Sequence, residues 1–537
     1  MARVAFCQDT LIEYMSYMQM AAVLRDAGHE VELFFDDQMK PDKFVAELAR
    51  YRPDVIGFSV LTPSREWAVR TAYAAREATG ALTVVGNVDA ILNPEAYEAE
   101  PAFDLICIGE GEYPLVELCS RIDEGRDVSD IDGFWHVGPE GIRKNPQWSE
   151  MFDMEAAPPI DRTIYDKYGF FRKSPYLRVY AGRGCPFRCS FCSNTVLTDN
   201  FGGSRRYMRK RSPQKFVEDI RRQVESRPNR INRIFIIDEV LWFDRPWLHE
   251  FLDLYRDQVG IPFTMNFKFN GGVTEDDVRR MAEAGAAAVC VATESGDESI
   301  RRGILNKPVS DQHILNVTSW MHKYGIKFGS SAFFGLPGQT FEGHLEELAF
   351  FRKVAPRYLF TTFFQPYPGL NLTGEFDVAE ALPDGAVFEP TFHHDMYLDL
   401  PDRARLVNLK KVYYLMCRFP VLERPLAYLT KWRIPLLFDA LFLTHFLPYA
   451  LWAEGCSLRQ FATHAKNFVV NPIIRRRQPL QTTARPFDIG YESTPSVAAG
   501  PEPEPEVEAV PVRIGRSAES EQAAPVGLSP AHSPDRP

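Results

Sequence analysis

Three thiols fall within eight residues of the stretch AGRGCPFRCSFCSN, residues 181–194: Cys185, Cys189 and Cys192. Three residues and then two separate them, and no fourth cysteine stands beside them. Three thiolates can hold three corners of a four-iron, four-sulfur cluster and leave the last iron open to a ligand. Zinc asks for a fourth ligand at finger-like spacing, and the next cysteine, Cys290, lies almost a hundred residues on. A disulfide sits poorly with the odd count, and nine cysteines spread over 537 residues read as reduced thiols of a cytoplasmic protein. Inert core cysteines are the bland alternative.

The elements that must position these thiols are strands and helices in alternation. Apolar runs read as strands at Tyr176–Gly182, Arg233–Asp238, Pro262–Phe267, Ala287–Thr293, Ile326–Gly335 and Tyr358–Gln365. Helical patterns separate them, as in TEDDVRRMAEAG, where Thr274 caps and Gly285 stops. Barrel-type chemistry collects at the carboxyl ends of strands. Those ends carry Asp238 and Glu239, Asn266, Lys268 and Asn270, Glu294 and Ser295, and Ser330 and Ser331.

Residues 1–138 repeat the alternation. RVAF, HEVELFF, DVIGFSV, ALTVVG and DLICIG read as strands with helices between them. This pattern predicts a parallel, flavodoxin-like sheet covered on both faces, with ligands held at its strand ends. Ser59, Gly86, Asn87, Gly109 and Glu110 stand at those ends, and the two glycines permit close approach of backbone to a flat ligand. No G-x-G-x-x-G follows the first strand, so a dinucleotide role gains little, and a scaffold without ligand remains the bland reading.

A net charge of −11 argues against a nucleic-acid partner. MARVAFCQDT has no basic leader followed by an apolar run. The longest apolar segment, residues 434–452, contains Pro435, Asp439, His445 and Pro448, which a spanning helix rarely tolerates together. Residues 376–480 turn helical and aromatic, a region expected to pack on the barrel. Its KNFVVNPIIRRRQ run suits a peripheral membrane surface or a lipid-like substrate, and FHHD offers a proton-transfer group. Residues 481–537 are too poor in apolar groups to order themselves.

CPFRCSFC after a strand resembles the signature of the radical S-adenosylmethionine enzymes. The resemblance implies a partial (β/α)6 barrel over 169–375 in which Cys185, Cys189 and Cys192 bind a 4Fe–4S cluster. The open iron then takes S-adenosylmethionine, which one electron cleaves to a 5′-deoxyadenosyl radical. By the same resemblance Phe191 lies near the adenine, and Asp238 and Glu239 stand beside the methionyl amine. Glu294, with Ser295 beside it, meets the ribose, Arg301 or Arg302 pairs with the carboxylate, and Gly335 in FFGLPGQT supports the adenine site. No catalytic residue is assigned.

An α/β domain placed before such a barrel resembles the cobalamin-binding subgroup. VVGNVDAILNPE and ICIGEGEYPLVEL carry that likeness, and they imply cobalamin contacts at Ser59, Gly86, Asn87, Gly109 and Glu110. Two departures stand out: no Asp-x-His-x-x-Gly motif supplies an axial histidine, and GNVD replaces the common Gly-Gly-Pro-His, setting Asn87 where glycine is usual. The implied order is a cobalamin-binding domain over 1–138, a strap over 139–168, the barrel, a helical region and a disordered tail. The implied activity is cobalamin-dependent methylation of an unactivated carbon in a secondary metabolite, lipid or cofactor precursor. A flavodoxin or ferredoxin would donate the electron. The alternatives are radical oxidation or ring closure, as in the anaerobic magnesium-protoporphyrin ester cyclases, and a cluster- or corrinoid-binding sensor.

Overall fold

Seven strands form the first sheet: β1 (Arg3–Gln8), β2 (Glu30–Phe35), β3 (Val55–Ser59), β4 (Leu82–Gly86), β5 (Leu105–Cys107), β6 (Phe134–Gly138) and β7 (Gly141–Lys144). Their order is β2-β1-β3-β4-β5-β6-β7, the first five being parallel and the last two an antiparallel hairpin. All five residues of β3 are buried, as a strand covered on both faces requires. The computed structural model describes residues 1–453 except 11, 37–40, 99, 139–140, 228–229, 242, 368, 371, 373–392, 394 and 399. The expected tail and the basic run Arg475–Arg477 therefore lie outside the described residues, as do Phe392 and His394 of FHHD.

The second sheet begins at β8 (Tyr176–Val179), and a short hairpin of β9 (Gly182–Arg183) and β10 (Arg209–Lys210) branches off after it. It continues through β11 (Arg233–Ile236), β12 (Phe263–Phe267), β13 (Ala286–Glu294), β14 (Lys327–Phe334) and β15 (Tyr358–Phe363). The order β15-β14-β13-β12-β11-β8 is parallel throughout, giving the six-stranded partial barrel that was expected. Its outer helices start on side-chain caps that accept orphan backbone N–H groups. Thr274, for example, forms a full capping box with Asp277. The helix Arg403–Arg418 buries Leu406, Leu409, Val412, Tyr413 and Met416 in the barrel's core cluster, as expected of the third region.

The hairpin β6–β7 corrects one boundary. Residues 141–144 belong to the first sheet, so an interdomain strap starting at 139 begins too early. The segment after β7 is core rather than spacer: Phe152, Met154, Ile160, Ile164 and Tyr165 pack into the same cluster as Val4, Tyr17 and Leu33. The Tyr165 hydroxyl donates to Gln8 Oε1 at 2.6 Å and accepts from the Tyr14 N–H at 2.8 Å.

Candidate functional site

The cysteine loop is positioned by glycines. A Cβ at Gly182 would collide with the Arg209 carbonyl oxygen, and one at Gly184 would meet Met208 Cα at 3.1 Å. Gly184 also has a φ of +93°, open chiefly to glycine. The hairpin β9–β10 can thus close tightly and launch the chain into Cys185. Further along, the Ser190 N–H donates to the Leu305 carbonyl at 3.2 Å, and Asn306 Nδ2 donates to the Arg188 carbonyl at 2.8 Å.

All three cysteines line one cavity of about 360 Å³, with Phe191, Glu239, Lys268, Glu294 and Lys307 among its other walls. Burial pushes the Cys185 thiol up to about 11 and raises Cys192 as well, so the metal's own charge is needed to hold them as thiolates. Lys268 Nζ sits 2.8 Å from Cys189 Sγ. Among the described residues no three Cys, His, Asp or Glu side chains converge as a single ion demands. Three sulfurs lining one cavity match the three corners that a four-iron cluster asks for.

The acids divide. Both Asp238 oxygens accept backbone N–H bonds from Ala181, and one also accepts from Gly182 at 2.8 Å, so this carboxyl ties β11 to the strand end before the cysteine loop. Burial raises it to about 6. Glu239 is different: its surface opens onto cavities inside the protein, and burial, with Asp238 adding to it, lifts its carboxyl to about 7.

Glu294 is turned into the cavity by its backbone. The register of β13 on β14 shifts between Val291 and Glu294, and Glu294 has a φ of +70°. Such bulges re-aim side chains beside active sites. Lys307, buried, lies 3.6 Å from the Glu294 carboxylate, and burial lowers its ammonium. Phe191 lines the same cavity and packs edge-on against Phe333 at 5.1 Å.

Three expectations for this end of the barrel need correction. Arg301 is fully buried and faces away from the cavity: it donates to the Ser295 carbonyl at 2.8 Å and to Asp311. Arg302 lies on the surface with Glu298. Ser295 is fully buried, its Oγ accepting from the Asp297 N–H at 3.0 Å, and it does not line the cavity. Gly335 faces Met396, not the cavity. The cations that do line the cavity, Lys268 and Lys307, carried only one signal in the sequence: Lys268 ends a strand and Lys307 closes the segment after Glu294.

The second cavity, of about 370 Å³, opens over the carboxyl ends of the first sheet and takes in Ser59, Gly86, Asn87, Gly109 and Glu110 together. It runs inward beside Tyr17, Met20 and Leu115, and no histidine lies among its described lining residues. Asn87 adopts a backbone conformation that favours glycine, with φ +80° and ψ −170°. Its Nδ2 donates to Ser59 Oγ at 2.9 Å and its Oδ1 accepts from the Val88 N–H at 2.7 Å, so the side chain folds onto its own loop. Such a conformation costs about 1–3 kcal/mol in a residue other than glycine. Asn87→Ala, which keeps the strain and loses both bonds, is expected to destabilise by about 2 kcal/mol, and Asn87→Gly by well under half of that, measured by urea unfolding.

Glu110 anchors the two domains. Arg183 reaches it at 2.7 Å and Arg209 at 2.6 Å, while Arg183 also pairs with Glu112. Burial opposes ionisation there, but the two guanidinium groups prevail and hold Glu110 at about 2. Asn194 and Glu239 line both cavities, which therefore share a wall.

A flavodoxin-like sheet with a ligand cavity over its strand ends, set against a parallel barrel with a three-cysteine cavity, defines an enzyme with two adjoining cofactor cavities. The family model for the B12 binding domain matches residues 14–119, and that of the radical SAM superfamily matches residues 179–351. The chain belongs to the radical S-adenosylmethionine enzymes that carry a B12-binding domain. Its cofactors are a 4Fe–4S cluster, S-adenosylmethionine and cobalamin. The residues present fit them: three sulfurs on one wall, carboxylates and ammonium groups for the two ends of an amino acid, and a long cavity with bare backbone at Gly86 and Gly109.

The chain is 23% identical over 369 residues to the anaerobic magnesium-protoporphyrin IX monomethyl ester cyclase of Rubrivivax gelatinosus, covering 66% of this chain and 65% of that one. It is 29% identical over 234 residues to the hopanoid C-3 methylase of Methylococcus capsulatus, covering 43% and 42%. The chain thus spans just under two thirds of the first relative and under half of the second. Its fold matches the solved radical S-adenosylmethionine methyltransferase TsrM of Kitasatospora setae, determined with cobalamin and a 4Fe–4S cluster, at a TM-score of 0.58 and 14% identity over 80% of this chain and 99% of that one. No described helix is long and apolar enough to cross a membrane.

Proposed function

We propose that this enzyme methylates an unactivated carbon of a small, largely apolar substrate. The observation that carries the reading is the common wall of Asn194 and Glu239, which brings the cysteine cavity against the cavity of the B12-binding domain. When bound, the three cofactors supply an electron, a hydrogen-abstracting radical and a methyl group.

The chain's own residues would do the rest. Cys185, Cys189 and Cys192 would hold the cluster. Glu239 would meet the amino group of S-adenosylmethionine, with Lys268 and Lys307 near its carboxylate and Glu294 near its ribose, by charge-assisted hydrogen bonds. Ser59, Gly86, Asn87, Gly109 and Glu110 would border the corrin. The apolar walls Phe191, Phe267 and Phe360 would exclude water from reactive species. A flavodoxin or ferredoxin is the proposed electron source. We assign the enzyme to the cytoplasm, because nine cysteines spread over 537 residues suit reduced thiols.

A second reading, ring closure or oxidation, draws on the likeness to the cyclase. Anaerobic assay with S-adenosylmethionine separates them once a substrate is found. Methylation releases 5′-deoxyadenosine and S-adenosylhomocysteine in step with product, whereas ring closure releases no S-adenosylhomocysteine. Release of neither would overturn both and leave a sensor.

A further inference from the structure

We propose that the C-terminal helical region docks on an anionic lipid bilayer through residues 418–443. Twelve large hydrophobic side chains are exposed among the described residues, and eight of them fall within this stretch. Val421 is 83% exposed, Leu436 81%, Tyr428 62% and Trp432 53%, joined by Phe419, Ile434, Leu437 and Leu443. Scattered exposed apolar groups are ordinary; a concentration of them marks an interaction site. Trp and Tyr suit the headgroup level of a bilayer, apolar on one side and wet on the other.

The charges select the occupant. Arg418, Arg424, Lys431 and Arg433 are exposed, and among the described residues none is in an ion pair. The two carboxylates of the stretch have other partners: Glu423 pairs with Arg352 at 2.6 Å and Asp439 with Lys411 at 2.5 Å. The stretch thus offers exposed apolar groups interspersed with unneutralised cations, on a chain whose net charge is −11. An anionic bilayer complements this pattern. A second copy does not, because a two-fold contact sets the same four cations against themselves.

The patch is continuous with the cysteine cavity. The helix Pro435–Ala453 exposes Leu436 and Leu437 near its start and sets Tyr449 in the cavity wall. Between them runs a line of rings: Phe442 to Phe446 at 5.1 Å, Phe446 to Tyr449 at 6.0 Å, and Tyr449 to Phe360 at 5.5 Å. An apolar molecule held in the bilayer would meet a greasy path to the barrel. Only this link rests on the function proposed above; the docking itself does not.

Flotation of the full chain tests it, with phosphatidylcholine vesicles compared against the same vesicles containing phosphatidylglycerol. The chain is expected to float with the anionic vesicles only and to be released by added salt. Replacing Arg418, Arg424, Lys431 and Arg433 by Gln lowers the partition about five-fold per charge, on the order of several hundred-fold in all. Val421→Asp with Leu436→Asp also lowers it, while the melting temperature and 5′-deoxyadenosine release in detergent-free buffer stay at the parent's values. A full chain that stays below the anionic vesicles overturns the proposal. Sedimentation at twice the monomer mass would then assign the patch to a second copy, and monomeric mass to cover by residues 454–537. A four-charge variant that floats like the parent overturns it equally.

Discussion

Cys189→Ala is expected to remove both the brown iron–sulfur absorbance of anaerobically reconstituted protein and its release of 5′-deoxyadenosine from S-adenosylmethionine. Two thiolates cannot hold the three corners that keep a cubane in place while its last iron stays open. The side chain is 5% exposed in a packed loop, and Ala removes only one sulfur, so the fold should survive and circular dichroism should match the parent. Cys290→Ala is the control. Cys290 lines the same cavity from β13 but lies outside the motif, and its loss is expected to leave colour and cleavage in place. Cleavage that persists in Cys189→Ala refutes the cluster assignment. Colour lost in Cys290→Ala would instead mean a fourth protein ligand and a closed cluster.

Arg183→Met is expected to destabilise the protein by about 3–5 kcal/mol, read as a lower urea midpoint. Arg183 bridges Glu110 and Glu112, whose side chains are 12% and 4% exposed, and the substitution leaves buried carboxylates without their main partner. Arg209 still serves Glu110, whereas among the described residues Glu112 keeps no other cation in an ion pair. Arg183→Lys should recover only part of the loss, since an ammonium cannot form both arms of the fork. The pH course follows from the sign. The folded-state pKa of Glu110 is depressed from 4.5 to about 2, so its contribution is present above 4.5 and lost as pH falls toward 2. A midpoint that Arg183→Met leaves unmoved at pH 7 would show that this network does not hold the domains together.

What the sequence disclosed was whatever short spacing encodes. Cys185, Cys189 and Cys192 are local in the chain, and the parallel strands announce themselves as apolar runs between capped helices. Side-chain direction was not legible. Arg301 and Lys307 lie six residues apart, and only the rotation of the short helix Glu298–Gly303 decides that the arginine meets the Ser295 carbonyl while the lysine returns beside Glu294. The hairpin β6–β7 escaped because both strands are short and β7, GIRK, is polar and lies outside the core. GNVD set a side chain where glycine is usual, and the sequence did not show that Asn87 would take a positive φ and turn its amide onto Ser59. The partners of Glu110 lie 73 and 99 residues away, beyond the reach of any periodicity.

The partition formed by Asn194 and Glu239 has an evolutionary corollary. A substitution at either position alters two chambers together, so selection on one ligand cannot tune it without answering to the other. Descendants that changed their substrate would be expected to vary first along Phe360 and Tyr449, which border one chamber alone.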